Sequence, residues 1–204
     1  MTPRLMVCLA MIGWSVAGCA MLPKAQGMVG KLSGLSGTQA SPVEHPKDAP
    51  TMEVILRTKG TSLTLVALDR DQDIVLWSSR LGAQIALRDG VVVSTRGLGG
   101  DLMSALAPTL AEISAAPAEY ARLYEFLDGA DDMQRKSYNC TTENKLVGEG
   151  ESKLRQVIET CISQDRRSIS NEYVFAADNR LVASKQWVTS SVGYAEISHL
   201  SQEN

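Results

Sequence analysis

Histidine is nearly missing from this chain, aromatic residues are few, and the common motifs of metal binding and nucleophilic catalysis do not occur. The two histidines, His45 and His199, neighbour no serine or cysteine motif, and there is no GxSxG. Neither an activated nucleophile nor a paired acid and base is therefore visible, and the chain is expected not to be an enzyme. No cysteine has a second ligand at CxxC or HxxxH spacing, so no metal site and no cofactor are expected. Asp69-Arg70-Asp71-Gln72-Asp73 starts like an EF-hand loop, but Ile74 stands where that loop needs glycine and Arg80 where it needs glutamate. A solvated hairpin turn explains it better. Asp128, Asp131 and Asp132 read as a polar loop, and Gly97-Leu98-Gly99-Gly100 lacks the spacing and the lysine of a phosphate loop. The formal net charge of −3 argues against nucleic acid or anionic lipid headgroups as the main partner.

What is there begins with an export signal. A basic start ending at Arg4 is followed by an apolar stretch from Leu5 to Val16, too short to span a bilayer, which takes about 20 apolar residues. Val16-Ala17-Gly18-Cys19 then has the form of a lipobox: an aliphatic residue, two small residues that let the chain enter the peptidase, and a cysteine whose thiol takes the lipid. Residues 1–18 are thus expected to be removed and Cys19 acylated; ordinary signal cleavage and an uncleaved anchor are the alternatives. Cys19 is followed by Ala20 and not by the aspartate of inner-membrane retention. The expected address is the outer membrane, with palmitate among the anchoring chains and the domain facing the periplasm.

Residues 19–50 form the lipidated N-terminus and a tether rich in Gly, Ser, Pro and Ala. A flexible coil of about 30 residues has an end-to-end distance of about 30 Å. A short membrane-surface helix over 28–35 is the competing reading, opposed by its glycines.

From residue 51 the apolar residues recur with period two, between turn residues. Strands are expected at 52–57, 61–68, 74–78, 84–88, 91–95, 134–142, 154–164, 167–176, 180–189 and 192–200. Asp89-Gly90 marks a hairpin, because a type I′ turn needs positive φ at both central positions, and Asp178-Asn179 marks a second tight turn. Asp101 is expected to cap a helix in which Leu102, Leu106, Leu110 and Ile113 share a face and which Pro108 splits in two. The segment from Glu119 to Leu127 fits helix or strand; the loop residues after it favour strand. The fold expected for 51–204 is a single mainly β domain, an antiparallel meander sheet curling into a barrel or half-barrel, with one or two short helices after the first group of strands.

With Cys8 in the signal and Cys19 lipidated, Cys140 and Cys161 remain, and in an oxidising periplasm an isolated pair is usually a disulfide. Two buried free thiols are the alternative. Among the sparse aromatics, Trp77, Tyr173 and Trp187 are candidates for ligand binding, since an indole or phenol ring can cover the apolar face of a pyranose; packing in the core is the competing role for each.

The run Ile74-Val75-Leu76-Trp77-Ser78-Ser79, then Leu87-Arg88-Asp89-Gly90-Val91-Val92-Val93-Ser94-Thr95-Arg96-Gly97-Leu98, resembles the tryptophan strand and following segment of the YjbF/GfcB family of exopolysaccharide and group 4 capsule lipoproteins. Asn171-Glu172-Tyr173-Val174-Phe175 and Asp178-Asn179-Arg180-Leu181-Val182-Ala183-Ser184-Lys185-Gln186 resemble a later segment, with Val174 in place of the family's tryptophan and Asn179 in place of its turn glycine. The resemblance implies an antiparallel β protein of the periplasm that assists secretion or assembly of an exopolysaccharide or capsule, by binding polymer or docking to other secretion proteins. A carrier of lipid or acyl chains in a half-barrel cavity is the alternative, and a polysaccharide hydrolase a more distant third.

Overall fold

The computed structural model describes residues 43–44, 48–127, 132–148 and 153–199. Cys19 and the expected signal and tether up to residue 42 lie outside the described residues, as do His45, Asp128 and Asp131.

Among the described residues, twelve strands form one antiparallel sheet. In chain order they are β1 (Thr51–Leu56), β2 (Thr61–Asp71), β3 (Ile74–Ser78), β4 (Gln84–Arg88), β5 (Val91–Arg96), β6 (Leu102–Leu106), β7 (Tyr120–Leu127), β8 (Met133–Val147), β9 (Leu154–Ser163), β10 (Ser168–Phe175), β11 (Leu181–Thr189) and β12 (Gly193–His199). Their order across the sheet, β5-β4-β3-β2-β1-β12-β11-β10-β9-β8-β7-β6, is two meanders joined where β1 pairs with β12. Alternation makes the register unambiguous: Met52, Val54 and Leu56 of β1 point inward while Glu53 points out, so a slip by one residue would expose the apolar set.

Register shifts of the bulge kind occur in the β2–β3, β4–β5, β6–β7, β10–β11 and β11–β12 pairs. An extra residue on one strand bends it and increases its twist, and the sheet curls until it nearly closes. Its two end strands, β5 and β6, are neighbours in sequence, and the Leu102 amide donates to Thr95 Oγ1 (2.9 Å). The loop between them is gathered by Asp101, whose carboxylate accepts from the amides of Gly97 (2.9 Å) and Leu98 (3.0 Å). Across the interior, β5 meets β11 through Gln186, whose Oε1 accepts from the Val92 amide (2.9 Å) and whose Nε2 donates to the Gly90 carbonyl (2.8 Å).

The expected helix from Asp101 is the main correction. Residues 102–106 are strand, Asp101 clamps the loop before it, and among the described residues beyond Pro108 the one helix is α1 (Leu110–Ser114); a 3-10 turn lies earlier, at Arg57–Lys59. Thr109 caps α1: its Oγ1 accepts from the Glu112 amide (3.2 Å) while the Glu112 carboxylate accepts from the Thr109 amide (2.8 Å). The Asp89-Gly90 hairpin has positive φ at both positions, 47° and 93°, and the segment from Tyr120 to Leu127 is strand.

Candidate functional site

Tyr124, Tyr138 and Trp187 meet edge to face or tilted in the middle of the barrel, with ring centroids 5.0 to 6.1 Å apart. Next to them lies a buried polar network. Arg122 of β7 pairs with Glu159 of β9 at 2.5 Å and donates to the Tyr173 hydroxyl at 2.8 Å. The second Glu159 oxygen accepts from Asn171 Nδ2 (2.5 Å), and Asn171 Oδ1 accepts from the Trp187 amide (2.7 Å). Burial pulls the Arg122 pKa down, but Tyr173, Tyr124 and Glu159 around it outweigh burial and keep it charged, with its pKa well above the ordinary value. Burial pushes the Tyr173 and Tyr124 phenols up.

The expected ligand-binding aromatics belong to this interior. Trp77 is 9% exposed, Trp187 7% and Tyr173 0%, so none offers a ring face to a ligand in solvent. The disulfide forms between Cys140 and Cys161, which sit directly opposite each other on β8 and β9 with Cα atoms 3.9 Å apart. The two sulfurs and the Glu159 carboxylate lie within 4.8 Å of one another, a donor set by type. The sulfurs are bonded together, and the carboxylate is occupied by Arg122 and Asn171.

Over this network, on the outer face of β7, β8 and β9, runs a groove. Strand alternation turns Tyr138 and Cys140 inward and Ser137, Asn139 and Thr141 outward, opposite Ile162 on β9. With Glu119, Tyr120 and Gln164 these residues line a cavity of about 610 Å³. A second lobe of about 480 Å³ continues toward α1, bounded by Leu106, Ala107, Pro108, Ala115, Pro117 and Ala121, and shares Glu119 and Tyr120 with the first. A third, of about 340 Å³, continues past Ser137 and Gln164 to Arg135, Lys136 and Asp165.

Tyr120 joins the first two lobes. Its hydroxyl is enclosed without a hydrogen-bond partner among the described residues, and burial together with the Glu159 charge raises its pKa. Tyr120 lies opposite Cys140 in the β7–β8 ladder, so its ring turns inward with Arg122 and Tyr124 and packs against the core beneath the groove. Outward hydroxyl and amide groups with the exposed Ile162 beside Asn139 are elements that can hold sugar: hydrogen bonds for ring hydroxyls, and an apolar surface for the C–H face. Sequence reading missed Asn139 and Gln164, because outward polar residues on a strand or in the turn after it carry no signature of their own.

Residues 44–200 match the family described as group 4 capsule polysaccharide lipoprotein GfcB, YjbF. The chain belongs to the YjbF/GfcB family. No curated protein matches it. Among solved structures, the hypothetical lipoprotein YmcC from Escherichia coli (K12) superposes with a TM-score of 0.63, over 77% of this chain and 86% of that one, at 16% identity. At that identity the likeness is one of fold. The family match spans all twelve strands, so the groove, the disulfide and the interior network all lie within the YjbF/GfcB region.

Proposed function

We propose that this YjbF/GfcB protein is a non-enzymatic outer-membrane lipoprotein, anchored through Cys19 with its β domain facing the periplasm, that assists secretion or assembly of an exopolysaccharide or capsule by holding the polymer in the groove over β7, β8 and β9. The observation that carries this reading is the groove itself, in which Ser137, Asn139, Thr141 and Gln164 stand beside the exposed Ile162. Its lobes follow one another across neighbouring strands, as an extended chain requires.

The interior speaks against an acyl-chain carrier. A lipid tail needs an apolar cavity, and the space between β5 and β11 is occupied by Gln186, with the Arg122–Glu159 pair and the aromatic cluster beside it. For hydrolysis, a carboxylic acid with a raised pKa is needed as proton donor. The hydrogen bonds from the backbone and side chain of Thr109 lower the pKa of Glu112, the wrong direction for that role.

The test is binding of the polysaccharide purified from the source strain to the lipid-free domain, compared with the Asn139→Ala/Gln164→Ala double variant, both of whose positions are exposed. Binding by the parent and about five- to 150-fold weaker binding by the variant is expected, since each lost hydrogen bond is worth about 0.5–1.5 kcal/mol. No binding by the parent, with secreted polymer still reduced on deletion of the gene, would replace polymer binding by docking to other secretion proteins. Unchanged polysaccharide on deletion would remove the secretion role as well.

A further inference from the structure

The lobe beside α1 differs in chemistry from the rest of the groove. Its wall is made by Leu106, Pro108, Ala115, Pro117 and Ala121, and its polar side chains apart from Tyr120 are the carboxylates Glu112 and Glu119. Among the described residues no Lys or Arg lines it, so a uronate, phosphate or pyruvate substituent would meet negative charge without a counter-ion there. The Glu112 carboxylate is already committed to the amide and hydroxyl of Thr109. Glu119 is exposed and borders both the apolar lobe and the hydroxyl- and amide-lined one.

A substituent for this place has to be small, apolar at its tip, uncharged, and able to donate a hydrogen bond near its root where the two lobes meet. We infer that the apolar lobe receives the acetamido group of an N-acetylated amino sugar, its methyl against Ala115, Ala121 and Pro117 and its N–H donated to the carboxylate of Glu119, while the pyranose lies against Asn139 and Ile162 in the neighbouring lobe. A plain hydroxyl in the same place would leave the apolar wall uncovered. A free ammonium would meet Glu119 but supply no methyl. This inference rests on the polymer-binding reading and adds to it the class of sugar selected.

The experiment measures, by calorimetry on the lipid-free domain, the affinities of the β-1,4 tetramers of N-acetylglucosamine, glucosamine and glucose, with the source strain's polysaccharide as a fourth probe. The N-acetylated tetramer is expected to bind about tenfold more tightly than the glucose tetramer, from one buried methyl and one charge-assisted hydrogen bond. Filling the lobe with Ala115→Trp, or independently with Ala121→Phe, is expected to abolish that preference. Both positions are exposed, so the variants are expected to fold. Equal affinities for the N-acetylated and glucose tetramers, or a preference that survives both variants, would overturn the inference. If the source strain's polysaccharide binds while no tetramer does, the acetamido reading fails and polymer binding stands; if none of the probes binds, polymer binding itself fails.

Discussion

Arg122 and Glu159 reach over β8 to form an ion pair whose side chains are 2% and 0% exposed. Removing one partner strands a charge in the interior, and removing both leaves a site that apolar side chains can fill. Arg122→Met is therefore expected to cost about 3–5 kcal/mol, and Arg122→Met/Glu159→Leu clearly less. Urea unfolding of the three proteins decides it. A double variant no more stable than the single one would show that the pair is not the unit of stabilisation.

The disulfide closes a loop with a sequence separation of 21 residues between Cys140 and Cys161. In the chain-entropy model a loop of that size stabilises by about 3 kcal/mol. Cys140→Ala/Cys161→Ala is expected to lower the urea midpoint accordingly, and dithiothreitol to lower the parent's but not the variant's. A parent insensitive to the reductant under unfolding conditions would contradict the bond.

Burial raises the pKa of Tyr120, Tyr124, Tyr138 and Tyr173. Free tyrosine ionises near pH 10. Above that pH the unfolded chain has released these protons while the native one keeps them, so the unfolded state binds fewer and stability falls as pH rises; below pH 10 this contribution is complete. Absorbance at about 295 nm should show these phenols ionising together with the loss of near-ultraviolet circular dichroism. Smooth ionisation of all tyrosines near pH 10 with the fold intact would contradict their burial.

Asp101 gathers the turn between the end strands through the amides of Gly97 and Leu98. Asp101→Ala is expected to cost about 1.5–3 kcal/mol, the usual worth of hydrogen bonds to a charged group, and Asp101→Asn less, because its amide oxygen can still accept. Thermal melts of both variants test the order.

At the other end of the chain, Cys19→Ala should release the protein from membranes and abolish palmitate labelling. Persistent membrane partitioning with label would move the anchor elsewhere.

The strands were legible because their apolar residues alternate and because Asp89-Gly90 can adopt only a few turn geometries. Segment 102–106 was not, since Leu102, Leu106, Leu110 and Ile113 also keep helical spacing. Pairing decided it: Leu102 lies opposite Phe126 and Leu106 opposite Leu123, and Asp101 bonds to the loop behind it and so does not cap the residues ahead. The scarcity of aromatics drew attention to Trp77, Tyr173 and Trp187, while the groove is walled by outward polar residues such as Asn139. Its neighbours there come from three strands that only the sheet order brings together, and no local pattern could reveal them.

The side chain of Gln186 bonds to both the Val92 amide and the Gly90 carbonyl. An end strand ordinarily offers such groups to another polypeptide, and this is how folded proteins come to aggregate edge to edge. Here one amide imitates the neighbour that β5 lacks. The sheet can therefore stop short of a closed ring and still present a capped border at these positions, where a second polypeptide finds those groups already taken.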